Sequence, residues 1–429
     1  MFPKIAALVG SQSTANPFVL EPWNAKRKEV KTRKSTTGNK IIVRNESPRE
    51  SQSAKLPIPL TSKPLPKLPA NAFFPKYDTK DFDFALDNAV HDLRKDTTSS
   101  AHHLADAALT RLGHFAQMAA TIAITRVEFW TLMVRAAKKL SAARPSMSAA
   151  VTACLLRALD RIVDRWTEEQ VDHPEETTAL ADITVEVIGD IFKERQETVT
   201  RLAETFTLWL KEHCGANVRI ITLSNSSTIR SALLHALAAL PDVTFRLTMA
   251  ASQLRCEGAD FAAQLYAAVS DHNRLHITIT PDRAVGEAIK DVDLVLLGAD
   301  RITSTGDVCN KMGSIPAAIC ANIRRKKTSV VVLSDADKIA APASKKGPPE
   351  QHPAHRLRWA SASDTTDHSE GKENVEVFGE CFECVSAKLV DVYVTELGVL
   401  DVDCVGRLAN EVKDLKESIF GSSQERARR

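Results

Sequence analysis

Asp300 closes an apolar run in "LVLLGADRITSTGDVCNK" (Leu294 to Lys311), and Asn310 and Lys311 follow in the same stretch. A carboxylate at the tip of an apolar strand is partly desolvated, which raises its pKa and lets it trade a proton with a sugar hydroxyl. Lys311 adds a cation for a phosphate or for that carboxylate. A second polar cluster, "TLSNSST", sets Ser224, Asn225, Ser226, Ser227 and Thr228 directly before the amphipathic stretch "IRSALLHALAAL". Hydroxyls and N–H groups at a helix start either make an anion site or simply cap the helix. In "ASQLRCEG", Ser252, Gln253 and Arg255 precede Glu257 and Gly258. The arginine there either clamps a phosphate or pairs with Glu257.

All of these residues follow short apolar runs: "VRIITLS", "VTFRLTM", "LHITIT", "VDLVLLG", "TSVVVLS" and "LVDVYVT". Such β-branched runs, alternating with amphipathic helical stretches, indicate a mostly parallel, doubly wound sheet covered on both faces. Ligands of open parallel sheets bind beyond the carboxyl ends of the strands. The other ends are polar too, with Pro281, Asp282 and Arg283, then Ser334, Asp335 and Lys338, then Thr395, Glu396 and Gly398. A structural ion pair explains one such coincidence and explains six poorly. Upstream, "RVEFWTLMVRAAKKL" and "AAVTACLLRALDRIVDRW" repeat apolar residues at intervals of three and four, which is helical spacing. The expected fold is therefore α/β: a helical domain over residues 81–214, then a Rossmann-like sheet domain over residues 215–420.

The rest of the chain frames those domains. At 429 residues and 44% hydrophobic content it can bury a substantial core. The net charge of +2 hides an asymmetry, because residues 1–80 carry fifteen Lys and Arg against five Asp and Glu, leaving −8 on the remainder. With "KRKEVKTRK" and "KLPIPLTSKPLPKLP", that segment cannot build a core and is expected to be a disordered basic tail. Nucleic acid could be contacted only through it. A further low-complexity stretch, at about 340–376, is expected to be a long inserted loop, and its His352, His355 and His368 lack metal-ligand spacing. The eight cysteines show neither disulfide nor paired metal spacing, which suits the cytoplasm; Cys381 and Cys384 form an isolated C-x-x-C. No metal, no cofactor and no membrane span are expected.

"LRKDTTSSAHHLADAAL", "AARPSM", "TLSNSSTI", "LGADRITSTGDVCNKMGS" and "VTELGVL" occur in this order. Together they resemble one superfamily: the alpha, beta and delta regulatory subunits of initiation factor 2B, with methylthioribose-1-phosphate and ribose-1,5-bisphosphate isomerases. The resemblance covers roughly residues 81–420, and the G-A-D-R-I block with its downstream N-K is its most specific part. It implies Asp300 as an acid/base group at the sugar hydroxyls, with Arg144, Asn310 and Lys311 holding phosphate and ribose. It also implies a homodimer or a hetero-oligomer with related subunits, formed through the region around "LVDVYVT" and "VGRLANEVKDLKESIF".

Two departures bear on activity. The isomerases carry a cysteine where this chain has Ser224, and Arg-Pro before the glycine where this chain has "ASQLRCEG". A thiol can be tuned into a base near neutral pH, whereas a serine needs a neighbouring base, and none is evident beside Ser224. Cys256 and Cys309 are the candidate surrogates, against a plain packing role for each. The leading expectation is thus a regulatory protein that binds a sugar phosphate or nucleotide at the strand ends. The alternative is an aldose-phosphate to ketose-phosphate isomerase in which Asp300 and Ser224 are catalytic and Arg144, Asn225, Ser226, Ser227, Arg255, Asn310 and Lys311 bind substrate.

Overall fold

The computed structural model describes residues 77–168, 177–252, 256–323, 328–342 and 379–421. Residues 1–76 of the expected tail, nearly all of the expected loop at 340–376, and Arg255 lie outside the described residues.

Among the described residues, five α-helices precede the first strand: α1 (Thr79–Lys95), α2 (Ala101–Ile122), α3 (Arg126–Ser141), α4 (Ser148–Glu168) and α5 (Thr177–His213). Helix α1 starts just inside the segment read as tail, because Asp78 and Asp81 form a reciprocal capping box. Asp78 Oδ1 accepts from the Lys80 and Asp81 N–H groups, and Asp81 Oδ2 accepts from the Asp78 N–H. The apolar faces of α1–α4 and of the first half of α5 share one core built around Phe82, Leu109, Trp130, Leu155 and Trp166. The second half of α5 leaves that core: Leu202, Phe206 and Leu210 pack into the core of the sheet. One 37-residue helix therefore runs through both hydrophobic cores.

The remaining elements are β1 (Asn217–Leu223), α6 (Ser227–Ala239), β2 (Thr244–Ala250), α7 (Glu257–Ala268), β3 (Leu275–Thr280), α8 (Val285–Ala288) and β4 (Leu294–Leu297). They continue with β5 (Arg301–Ile302), β6 (Val308–Lys311), α9 (Ser314–Asn322), β7 (Ser329–Leu333), β8 (Phe382–Val385), β9 (Val392–Thr395), β10 (Gly398–Leu400) and α10 (Val402–Phe420). Seven strands make one sheet in the order β10-β9-β7-β4-β1-β2-β3, parallel except at the β10 edge. All six strands read from the sequence lie in it. The chain runs from β1 outward through β2 and β3, then crosses back so that β4 lies on the other side of β1. That reversal opens a crevice beyond the ends of β1 and β4, where open α/β sheets bind their ligands. Ser224 follows β1, and Asp300 lies just beyond β4.

A second sheet, β5-β6-β8, is antiparallel. It places Lys311 at the end of β6. The turn between β5 and β6 contains Gly306 at φ 82°, whose carbonyl accepts a 2.5 Å hydrogen bond from the Tyr393 hydroxyl of β9. A side chain on Gly306 would collide with that hydroxyl, so the glycine lets the small sheet close onto the large one. Cys309 and Cys384 are directly opposed in the β6–β8 register and are joined by a disulfide. This corrects the reading of the cysteines as unpaired: they are 75 positions apart, and only strand pairing brings them together.

Candidate functional site

A cavity of about 460 Å³ lies in the crevice beyond β1 and β4, within the size range of small-molecule sites. Its lining combines the β1–α6 turn (Ser224 to Thr228), Glu257 and Asp260 of α7, Gly298 to Asp300, Asn310 and Lys311 of β6, and Lys338. Thr97 to Ala101, at the start of α2, close it from the helical side together with Met147.

Each wall has a local cause. Ser224 takes the left-handed backbone conformation at φ 66°, which is uncommon and costly for a residue with a Cβ. The strained turn ends β1 abruptly and starts α6, whose N-cap is Ser226; its hydroxyl accepts from the Ile229 N–H at 3.3 Å. The remaining N–H groups of the first turn have no intrahelical acceptor, as at any helix start, and suit an anion. Asn225 is tied by its carbonyl oxygen to Arg230 at 3.1 Å. Gly258 fixes the opposite wall, because a Cβ there would sit 1.9 Å from the Ala250 carbonyl oxygen. Only glycine lets α7 start against the end of β2, and that contact carries Glu257 into the cavity.

The charged groups are interlocked. The Ser224 hydroxyl donates to Glu257 Oε2 at 2.8 Å, and Lys311 Nζ donates to Glu257 Oε1 at 3.4 Å. Asn310 donates to Ser314 Oγ at 3.0 Å, and that hydroxyl donates to the Lys311 carbonyl at 2.7 Å. The Asp300 N–H donates to the Cys309 carbonyl at 2.9 Å, extending the β5–β6 pairing to the carboxylate. Desolvation raises the pKa of Asp300, against the opposing pull of Lys338, Lys311 and Arg144. A carboxyl held this way can give a proton as well as take one.

Behind the cavity, Lys338 is anchored by Asp335 at 3.6 Å, and Asp335 meets His102 Nδ1 at 3.4 Å. Arg195, nearly buried, binds Asp106 at 2.6 Å, Asp337 at 2.9 Å and the His102 carbonyl at 3.0 Å, and Arg157 also pairs with Asp337. This network ties α2, α4 and α5 to the turn that presents Lys338. Beside it, burial and then the charges of Asp335 and Asp337 push the Glu396 carboxyl up to about 8. For Asp335 burial acts upward, but Lys338 and the hydrogen bond from His102 prevail and hold it well below the usual carboxylate range.

Of the expected site residues, Ser224, Asn225, Ser226, Ser227, Asp300, Asn310 and Lys311 line the one cavity. Arg144 does not line it; it is buried, and its guanidinium donates to the Asp96 carbonyl at 2.6 Å. The reading that no base stands beside Ser224 is corrected by Glu257, brought there from 33 positions away. Neither surrogate cysteine serves: Cys309 is in the disulfide, and Cys256 is exposed rather than packed and does not line the cavity. The Thr97–Ala101 wall and the site roles of Glu257 and Lys338 were not assigned from the sequence. "DTTSSA", a hydroxyl-rich run ahead of a helix, was the available signal.

A family model for the initiation factor 2 subunit family matches residues 97–402, which takes in every wall of this cavity. The chain belongs to that family. Within it, the chain is 26% identical to a methylthioribose-1-phosphate isomerase of Pelotomaculum thermopropionicum over 69% of its own length and 78% of the relative's. A shorter match, 32% identical to the enzyme of the same name from Alkalilimnicola ehrlichii, covers 25% of this chain and only 30% of the relative. Solved structures in the same range of similarity share the fold, among them the following two. The eIF2B beta subunit of Chaetomium thermophilum superposes with a TM-score of 0.56 at 16% identity, covering 77% of this chain and 92% of that one. The 5-methylthioribose 1-phosphate isomerase of Pyrococcus horikoshii OT3 gives 0.53 at 19% identity, covering 77% and 88%.

Proposed function

We propose that this chain converts an aldose phosphate into the corresponding ketose phosphate, with a five-carbon sugar 1-phosphate as substrate. The single observation that carries the reading is Asp300, a carboxyl of raised pKa in a sugar-sized cavity that also presents Lys311, Lys338 and the start of α6. The reaction is redox-neutral overall. A proton leaves C2 and arrives at C1, while the 2-hydroxyl proton is matched by one gained at the ring oxygen as the ring opens. Asp300 serves both oxygens: it protonates the ring oxygen and recovers a proton from the 2-hydroxyl. Lys311, Lys338 and the first-turn N–H groups of α6 hold the phosphate. The relatives named methylthioribose-1-phosphate isomerase support this reading over the regulatory one.

The regulatory reading rested on Ser224 replacing a thiol with no base in reach, and Glu257 removes that reason. It keeps one observation in its favour, the serine itself. The discriminating experiment is an assay of the purified chain on methylthioribose-1-phosphate and ribose-1,5-bisphosphate, with Asp300→Asn as the control. Self-association or association with related chains belongs to the same proposal, supported by the tetrameric beta–delta complex of C. thermophilum among the structural neighbours. Light scattering at micromolar concentration should show a dimer or larger; a monomer with no co-purifying chain contradicts it.

A further inference from the structure

We propose that Glu257 is the base that carries the carbon-bound proton between C2 and C1. The assignment rests on the isomerase reading above and adds the group that reading leaves open. Three observations converge on it. Glu257 lines the cavity that holds Asp300. Both of its carboxylate oxygens are oriented, Oε2 by the Ser224 hydroxyl at 2.8 Å and Oε1 by Lys311 Nζ at 3.4 Å. Its backbone is fixed by Gly258, whose neighbour across the gap leaves no room for a side chain. A strained Ser224 at the end of β1 is what places the donor, so the turn's cost goes into aiming a hydroxyl at the carboxylate. Ser224 is then a positioning residue and not itself the proton carrier: an alkoxide is far more costly than the carboxylate already beside it.

The step balances. As the ring opens, the C1–O4 bond breaks with its electron pair going to O4, which takes a proton from Asp300 and leaves C1 electron-deficient. Glu257 removes the C2 proton, and the C2–H pair becomes the second bond between C1 and C2. The 2-hydroxyl then returns its proton to Asp300, and its O–H pair becomes the C2 carbonyl bond. The C1–C2 π pair takes the proton back from Glu257 and becomes the new C1–H bond. Both carboxyls end as they began, the phosphate stays on O1, and no oxidant or reductant is consumed.

The test is steady-state kinetics of the full chain and its variants on a five-carbon aldose 1-phosphate, with thermal unfolding of each variant to verify folding. Glu257→Gln should lower kcat by about 10²- to 10⁴-fold and leave KM within about threefold, since the lost interaction acts in the transition state. Glu257→Asp keeps the charge beside Lys311 but withdraws it by one methylene, and should cost at least about tenfold in kcat. It keeps the proposal testable should the glutamine variant fold poorly. A raised KM with unchanged kcat in either variant would mark Glu257 as a mere anchor for Lys311 and overturn the assignment. Wild-type turnover that survives Glu257→Gln overturns the base alone; absence of wild-type turnover overturns the isomerase reading and the base with it.

Discussion

The Ser224 hydroxyl donates a 2.8 Å hydrogen bond to Glu257 Oε2, linking the turn after β1 to the start of α7. A serine in a position otherwise poor for proton transfer thus has a carboxylate as its immediate neighbour. The hydrogen bond sets what each residue can do: Glu257 is held facing the cavity, and Ser224 holds it.

Removing that donor tests the positioning role. Hydrogen bonds to charged groups are worth roughly 1.5–3 kcal/mol, so Ser224→Ala should lower kcat by about ten- to a hundredfold. KM should change little. Unaltered kcat in the folded variant would show that the bond does not aim the carboxylate.

The six strands paired in parallel in the large sheet were legible in the sequence, because β-branched apolar runs such as Val330 to Leu333 announce buried parallel strands, but of their polar ends those of β3 and β9 do not line the cavity. The strands β5, β6, β8 and β10 were not, since they are two to four residues long and, unlike the equally short β4 and β9, carry no continuous buried apolar run. Asn310 and Lys311 were singled out by type and spacing, yet their place on a strand depends on pairing with β8 across a long separation. Glu257 was noted as a helix-opening residue, and nothing local in "ASQLRCEG" says that it faces Ser224. Two loops from different strand ends meet only because β1 and β2 are adjacent and parallel.

Glu396 gives the fold a pH dependence of defined sign. Its folded-state pKa of about 8 lies above the usual 4.5, so its contribution is fully present below pH 4.5 and is lost as pH rises through about 8. Asp335 acts oppositely: its depressed pKa contributes stability above the unfolded value of 3.8, lost as pH falls below it. Thermal unfolding from pH 5 to 9 should therefore show a falling Tm, and Glu396→Gln should flatten that fall. An identical slope in the variant contradicts the assignment.

The Cys309–Cys384 disulfide closes a long loop and braces the strand that carries Asn310 and Lys311. Chain-entropy arguments put a crosslink over a separation of 75 at roughly 4–5 kcal/mol. Dithiothreitol should lower Tm by a few degrees, and Cys384→Ser should lower it in the absence of reductant and abolish the response. A reductant-insensitive Tm in the wild type would show that the bond does not stabilise the fold.

Turnover by the wild-type chain, followed by phosphorus and proton magnetic resonance on methylthioribose-1-phosphate and ribose-1,5-bisphosphate, tests the central claim most directly. The account predicts conversion of at least one of them to its 2-keto isomer. With Asp300→Asn, that conversion should fall by about 10²- to 10⁴-fold, since the variant can neither protonate the ring oxygen nor take the hydroxyl proton. Wild-type protein that binds these sugar phosphates yet converts neither above a buffer control would contradict the account and return the cavity to a regulatory role.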